Sequence, residues 1–68
     1  MKFVRHGLNG DYVYQEIIQG HPQGVRISGV YTKKEARVKA KEAFADLKQR
    51  LADGTAEIKA DGTLVLKS

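Results

Sequence analysis

The chain has 68 residues, enough for a single domain (1–68) that buries only about 60% of the surface its unfolded chain exposes. It contains no cysteine, which excludes disulfides and thiolate zinc sites and favours a reducing, cytoplasmic location. No apolar run approaches the roughly 20 residues that cross a bilayer, so we expect no membrane partner. Twelve Lys and Arg against eight Asp and Glu give a formal charge of +4, which favours an anionic partner.

The first half of the chain predicts three strands. Residues 11–18 and 25–31 are rich in β-branched and aromatic residues and are bounded by glycines and Pro22. Residues 2–6 form the third segment, and the Asn9-Gly10 dipeptide after it predicts a hairpin, because both residue types tolerate positive φ.

Alternation along these strands predicts which side chains share a face. Val25 and Ile27 alternate with Arg26, so one face is apolar. Val13 and Ile17 are expected to share that apolar face. The opposite face is then expected to hold Tyr12, Tyr14, Glu16, Ile18, Arg26, Ser28 and Val30, joined in one register by Phe3 and Arg5.

The segment that follows predicts a helix from about residue 33 to residue 52. Thr32 and Glu35 have the spacing of a capping box, in which each side chain bonds the backbone N–H of the other residue. Glycine at position 54 favours the end of the helix. The apolar residues have helical spacing and form one stripe, which comprises Ala36, Ala40, Ala43, Phe44, Leu47 and Leu51.

Residues 55–67 predict a second hairpin. A three-residue loop, 60–62, with Gly62 as the bulge, places Leu64 and Leu66 on the same face as Ile58, whereas a two-residue turn would separate them. The predicted fold is α+β: an antiparallel sheet with one helix packed on one face, in the order β-β-β-α-β-β.

Residues suited to catalysis are sparse. The only histidines, His6 and His21, lie in different segments without a nucleophile or cysteine beside them, so neither a catalytic centre nor a metal or cofactor site is expected. Glu35, Glu42 and Asp46 lie on the solvated side of the predicted helix, where carboxylates keep ordinary pKa values. We therefore expect a binding protein rather than an enzyme.

Two surfaces suit a binding partner. Aromatic rings beside arginine on the open sheet face can stack bases and contact phosphates, although strand tyrosines are also commonly half-buried. Four basic residues fall on one arc of the helix. They either form a binding site for an anion or pack their aliphatic stems beside the core with their charges in solvent. The candidate binding residues are Arg5, Tyr12, Tyr14, Arg26, Lys34, Arg37, Lys41 and Lys48.

Residues 10–42 also carry a resemblance. Gly-Asp-Tyr-Val-Tyr, Pro-Gln-Gly-Val-Arg and Gly-Val-Tyr-Thr-Lys-Lys-Glu-Ala resemble the N-terminal arm-binding domain of phage-type tyrosine recombinases. That domain has three strands and a helix, and its sheet enters the DNA major groove. The resemblance implies DNA contacts near Arg26 and near Tyr12, Tyr14 and Glu16. The strand, Asp-Gly turn and final strand after the helix are additional, and resemble a family of short uncharacterised bacterial proteins.

Two functions follow as hypotheses. The first is a nucleic-acid-binding accessory protein of a phage or mobile element, with DNA the favoured ligand. The alternative is a small inhibitor or adaptor, such as an anti-CRISPR or other anti-defence protein, that binds a host protein complex. A homodimer joined through the open sheet face is compatible with either hypothesis.

Overall fold

The computed structural model describes residues 1–67 and confirms the α+β fold with the predicted element order. Strands β1, β2 and β3 form one antiparallel sheet with β2 in the centre, and β4 and β5 form a separate antiparallel hairpin. The elements are β1 (Lys2–His6), β2 (Tyr12–Ile18), β3 (His21–Ile27), α1 (Lys33–Asp53), β4 (Ala56–Ile58) and β5 (Leu64–Leu66).

The turn between β2 and β3 fixes the register of the main sheet. Gln19 and Gly20 are the two turn residues, and both have positive φ, 54° and 80°. This geometry brings Ile18 opposite His21, so β3 begins four residues before the predicted start at residue 25. Pro22 is tolerated because β3 is an edge strand.

This register corrects the predicted faces of β2. Across a two-residue turn, even-numbered residues of β2 pair with odd-numbered residues of β3, as in the pair Tyr14 and Val25. Tyr14 and Ile18 therefore face the helix and are 3% and 6% exposed. The prediction that Val13 and Ile17 lie on the helix side, with Tyr12 and Tyr14 on the open face, is wrong.

The helix begins and ends as predicted. Glu35 N donates to Thr32 Oγ1 at 3.2 Å, and Thr32 N donates to Glu35 Oε1 at 2.9 Å, which completes the capping box. Gly54 follows in the left-handed conformation, with φ of 79°. Ala36, Ala40 and Phe44 are buried against the sheet, together with Tyr14 and Ile18. No helix in residues 1–67 has the length and hydropathy needed to cross a bilayer.

The C-terminal hairpin has the predicted register. Ala56 pairs with Leu66 and Ile58 with Leu64 across the loop that contains Gly62, whose φ is 91°. The loop lies against the start of β3, where Gln23 Nε2 donates to the Gly62 carbonyl at 3.1 Å. The hairpin therefore packs beside the main sheet and contacts the helix through β4.

Candidate functional site

The sheet face that points away from α1 is called the open face here. Tyr14 lies on the helix side, so its neighbours Val13 and Gln15 point the other way. Residues that pair across neighbouring strands share a face. The register therefore assigns to the open face Lys2, Arg5, Val13, Gln15, Ile17, Pro22, Gly24 and Arg26.

Arg5 and Arg26 lie in one row across the open face. Arg5 pairs with Val13 on one side, and Val13 pairs with Arg26 on the other. Neighbouring strands are about 4.8 Å apart, so the Cα atoms of the two arginines are separated by about 10 Å. Lys2 occupies the next row, opposite Gln15. The face thus presents three cations around a short apolar stretch, and Ile17 on it is 63% exposed.

The acidic residue of β2 lies on the helix side of the sheet. Glu16 is paired with Lys48 of the helix. The hydrogen bond from Lys48 lowers the pKa of the Glu16 carboxyl group, so the carboxylate stays charged and paired at neutral pH. Lys48, predicted as a free binding cation, is therefore engaged in an ion pair within the fold.

Asp11 lies at the border of the open face. Its Oδ1 atom accepts a hydrogen bond from Gly29 N at 2.9 Å, and its Oδ2 atom lies 4.0 Å from Arg26 Nε. The Asp11 side chain is 17% exposed and that of Arg26 is 61% exposed. Asp11 therefore holds the loop after β3 and offsets part of the charge of Arg26, whose guanidinium group remains open to solvent.

The basic edge of the helix faces β1 rather than the open face. Within residues 1–67 the helix packs over β2 and β3 and leaves the helix side of β1 uncovered. A groove of about 600 Å³ lies there, which we call the β1–α1 groove. Its lining residues are Met1, Phe3, Tyr14, Lys33, Lys34 and Arg37. Lys41 is exposed one turn after Arg37.

The structure places five of the eight predicted site residues on two separate surfaces. Arg5 and Arg26 lie on the open face, whereas Lys34 and Arg37 line the β1–α1 groove together with Tyr14. Tyr12 lies on the helix side of the sheet, where its ring is 5.2 Å from that of His6.

Sequence reasoning missed Lys2 and Lys33 as members of these surfaces. Phe3, expected beside Arg5 on the open face in one register, lies on the helix side, because the strand register shifts between Phe3 and Arg5. The two-residue Gln19-Gly20 turn is a signal for the faces of β2 and β3. It gives none for Lys2 and Phe3, whose faces depend on the irregular register of β1, or for Lys33 on the helix.

The two histidines lie apart. His6 packs against aromatic rings of β1 and β2, and His21 lies beside Gly62 of the C-terminal loop. Among residues 1–67, no three His, Asp or Glu side chains are grouped so that they could hold a metal ion.

The chain matched no protein-family model, no curated protein and no solved structure.

Proposed function

We propose that this protein is a non-enzymatic module, an accessory protein of a phage or mobile element, that binds double-stranded DNA through the open face. One observation carries the proposal. Lys2, Arg5 and Arg26 share that face, and none of its strand positions within residues 1–67 holds an acidic residue. A surface with three cations and no acid on its strands attracts the phosphate backbone.

The dimensions of the sheet suit a duplex. Three strands span about 10 Å between the outer strand axes, and the major groove is about 12 Å wide. Among residues 1–67, no helix or hairpin lies on the open face: α1 packs on the other side of the sheet, and the loop of the C-terminal hairpin contacts Gln23 and His21, which also face that side. Arg5 and Arg26 on the two outer strands would then lie near opposite walls of the groove.

The side chains of the open face suit the contacts that a duplex offers. Arginine guanidinium groups donate in pairs to phosphate oxygens or to guanine. Val13, which lies between the two arginines, and Ile17, farther along β2, offer apolar surface that thymine methyl groups can contact. The resemblance to the recombinase arm-binding domain supports DNA binding through the sheet. The resemblance implied contacts from Tyr12, Tyr14 and Glu16. In this register the residues of β2 on the open face are instead Val13, Gln15 and Ile17.

Salt dependence of binding tests the proposal. Fluorescence anisotropy with a labelled random duplex should give a log-log slope of about −3 for three phosphate contacts. Arg5→Ala should weaken binding and reduce the slope by about 1. Lys59→Ala is the matched control, because it removes the same charge from an exposed position beyond β4. Equal effects of Arg5→Ala and Lys59→Ala would contradict a specific role for the open face.

A second variant should change the affinity for duplex in the opposite direction from Arg5→Ala. In Asp11→Asn the amide oxygen still accepts from Gly29 N, while the negative charge beside Arg26 is removed. We expect tighter duplex binding than in the wild type. Unchanged or weaker binding in a folded Asp11→Asn protein would show that Arg26 does not contact the duplex.

The inhibitor hypothesis predicts different results in two experiments, the anisotropy titration and a pull-down from host lysate. A protein-binding inhibitor would show a flat anisotropy titration at low salt and would still recover one dominant protein complex from nuclease-treated lysate. A steep salt slope together with loss of all recovery after nuclease treatment would exclude it.

A further inference from the structure

The β1–α1 groove lies on the opposite side of the sheet from the open face. Tyr14 in its floor is 3% exposed and packs against the helix, whereas Phe3 is only partly buried. Because the helix passes over β2 and β3, the helix side of β1 is left as an open floor beneath the basic edge of α1.

The floor of the groove continues as a row of aromatic rings. The Phe3 ring lies edge-on to Tyr14 at 5.5 Å and to His6 at 5.3 Å between ring centroids. His6 in turn lies 5.2 Å from Tyr12. His6 is exposed and Phe3 is half-buried, with Lys33 over the Phe3 ring. A planar ligand can stack on His6 directly, and on Phe3 when the Lys33 side chain moves aside, while Tyr12 and Tyr14 support the two rings from the sheet.

The wall of the groove is positively charged. Lys33 Nζ lies over the Phe3 ring, 5.7 Å from its centre, in a cation–π contact, and Lys34 and Arg37 line the groove beside it. None of these three cations belongs to an ion pair among residues 1–67.

Two acids of the helix line a neighbouring cleft. Glu35 and Glu42 lie there with Tyr31, Val38 and Lys39, and this cleft meets the β1–α1 groove at Lys34. Glu16, on the same side of the sheet, is paired with Lys48 and with the N-terminal ammonium group of Met1. The groove therefore offers a basic wall over an aromatic floor to an incoming anion.

We propose that the β1–α1 groove binds a single strand of nucleic acid, with bases stacked on Phe3 and His6 and phosphates contacted by Lys33, Lys34 and Arg37. This inference rests on the proposed function only for the class of ligand, since the surface is a different one. A recessed aromatic floor reaches unstacked bases and not those inside a duplex. The protein then has separate surfaces for duplex and for single strand.

Paired variants test the groove with oligo-dT and a random single-stranded oligonucleotide of the same length. His6→Ala and Phe3→Leu should each weaken single-strand binding by about 5- to 100-fold, the range expected for one lost stacking contact. Phe3→Leu keeps an apolar side chain against Tyr14, so the fold is expected to survive, as circular dichroism would check. Duplex binding should change little in either variant.

A second pair isolates the charge. Arg37→Gln should flatten the salt slope for single strands by about 0.7, whereas Lys39→Gln should leave it unchanged. Lys39 lies on the same helix, but its Nζ atom contacts the Tyr31 ring on the other side. Equal losses of single-strand affinity in the two variants would overturn the proposal. So would competition by polyglutamate of matched charge that is as strong as competition by the unlabelled oligonucleotide.

The outcomes also separate the two surfaces. Loss of single-strand binding in His6→Ala with duplex binding retained supports the groove. Single-strand binding that Arg5→Ala abolishes and His6→Ala leaves intact overturns the groove and leaves the open face in place. Single-strand binding that depends on His6, in a protein that does not bind duplex, would support the groove and refute the duplex function proposed for the open face.

Discussion

Replacing Ile18 by alanine should destabilise the protein much more than the same change at Ile17, its neighbour in β2. The two side chains are identical and adjacent, but they lie on opposite faces of the sheet. Ile18 is 6% exposed and Ile17 is 63% exposed. The comparison therefore tests the register of the sheet directly.

The magnitudes follow from burial. A buried Ile→Ala change costs about 2–5 kcal/mol, and we expect about 2–3 kcal/mol at Ile18, since the last residue of β2 lies beside a turn that can relax. Complete burial of an isoleucine side chain is worth about 1.5–3 kcal/mol, and Ile17 has only about a third of that burial, so its loss costs about 0.5–1 kcal/mol. The lost strand propensity is common to both variants and cancels in the difference.

Urea unfolding followed by far-ultraviolet circular dichroism gives both free energies, with equal m-values as the check on two-state behaviour. A domain of this size has about 3–10 kcal/mol of total stability, so Ile18→Ala could leave little folded protein. Ile→Val at each position then makes the same comparison, with about 0.5–1.5 kcal/mol expected at Ile18 and almost none at Ile17. Equal costs, or a larger cost at Ile17, would refute the register described above.

Other predictions concern the helix and the loops. Thr32→Ala should cost about 1 kcal/mol in urea unfolding, because it removes the N-cap. Hydrogen bonds from Thr32, the backbone N–H first, lower the pKa of the Glu35 carboxyl group. Ionised Glu35 therefore stabilises the fold above the unfolded-state pKa of about 4.3. This contribution to stability is lost as the pH falls through the lower folded-state pKa. In acid titrations of stability, Glu35→Gln should show a weaker dependence on pH than the wild type. Gly29→Ala should cost about 1–3 kcal/mol, because its Cβ would lie 2.8 Å from a backbone carbonyl oxygen, whereas Gly24→Ala, with 3.7 Å to its nearest neighbour, should be tolerated. Phe44→Ala should cost about 3–5 kcal/mol, and a loss below about 1 kcal/mol would contradict its place in the core.

The elements with local signals were predictable from the sequence. The capping box at Thr32 and the glycine at position 54 both act within a few residues of the helix ends, so the helix was predicted to within one residue at each end. The Gly62 loop similarly fixed the register of the C-terminal hairpin, since only one of the two loop lengths places Leu64 on the same face as Ile58.

The faces of β2 were not predictable from alternation, because both faces carry large apolar side chains. Tyr14 and Ile18 on one side and Val13 and Ile17 on the other give two equally apolar sets. Only the length of the following turn decides between them, and Gly20 and Pro22 were interpreted as strand boundaries rather than as a turn and an edge-strand residue.

The wrong assignment of the faces of β2 also changed the predicted composition of the candidate site. With the two faces of β2 exchanged, the prediction places Glu16 on the open face beside Arg26, and Lys48 with the other cations of the basic helix edge. The observed register brings Glu16 and Lys48 together on the helix side and leaves the open face without an acid at its strand positions in residues 1–67. Arg5 could be assigned to a face only once its partner Val13 was known.

Every strand pairs with a strand that is its neighbour in the chain, and this has a kinetic consequence. The pairs β1–β2, β2–β3 and β4–β5 each close through a short loop, so within residues 1–67 none of them awaits a distant segment. Helical bundles, which are richest in local contacts, fold in microseconds to milliseconds, all-β folds of similar size take milliseconds to seconds, and domains of mixed α and β structure lie between them. Stopped-flow refolding should then show one fast phase set by docking of the helix onto β2 and β3. The edge strands would be unprotected for only a brief interval after synthesis, which limits aggregation of a chain with so thin a core.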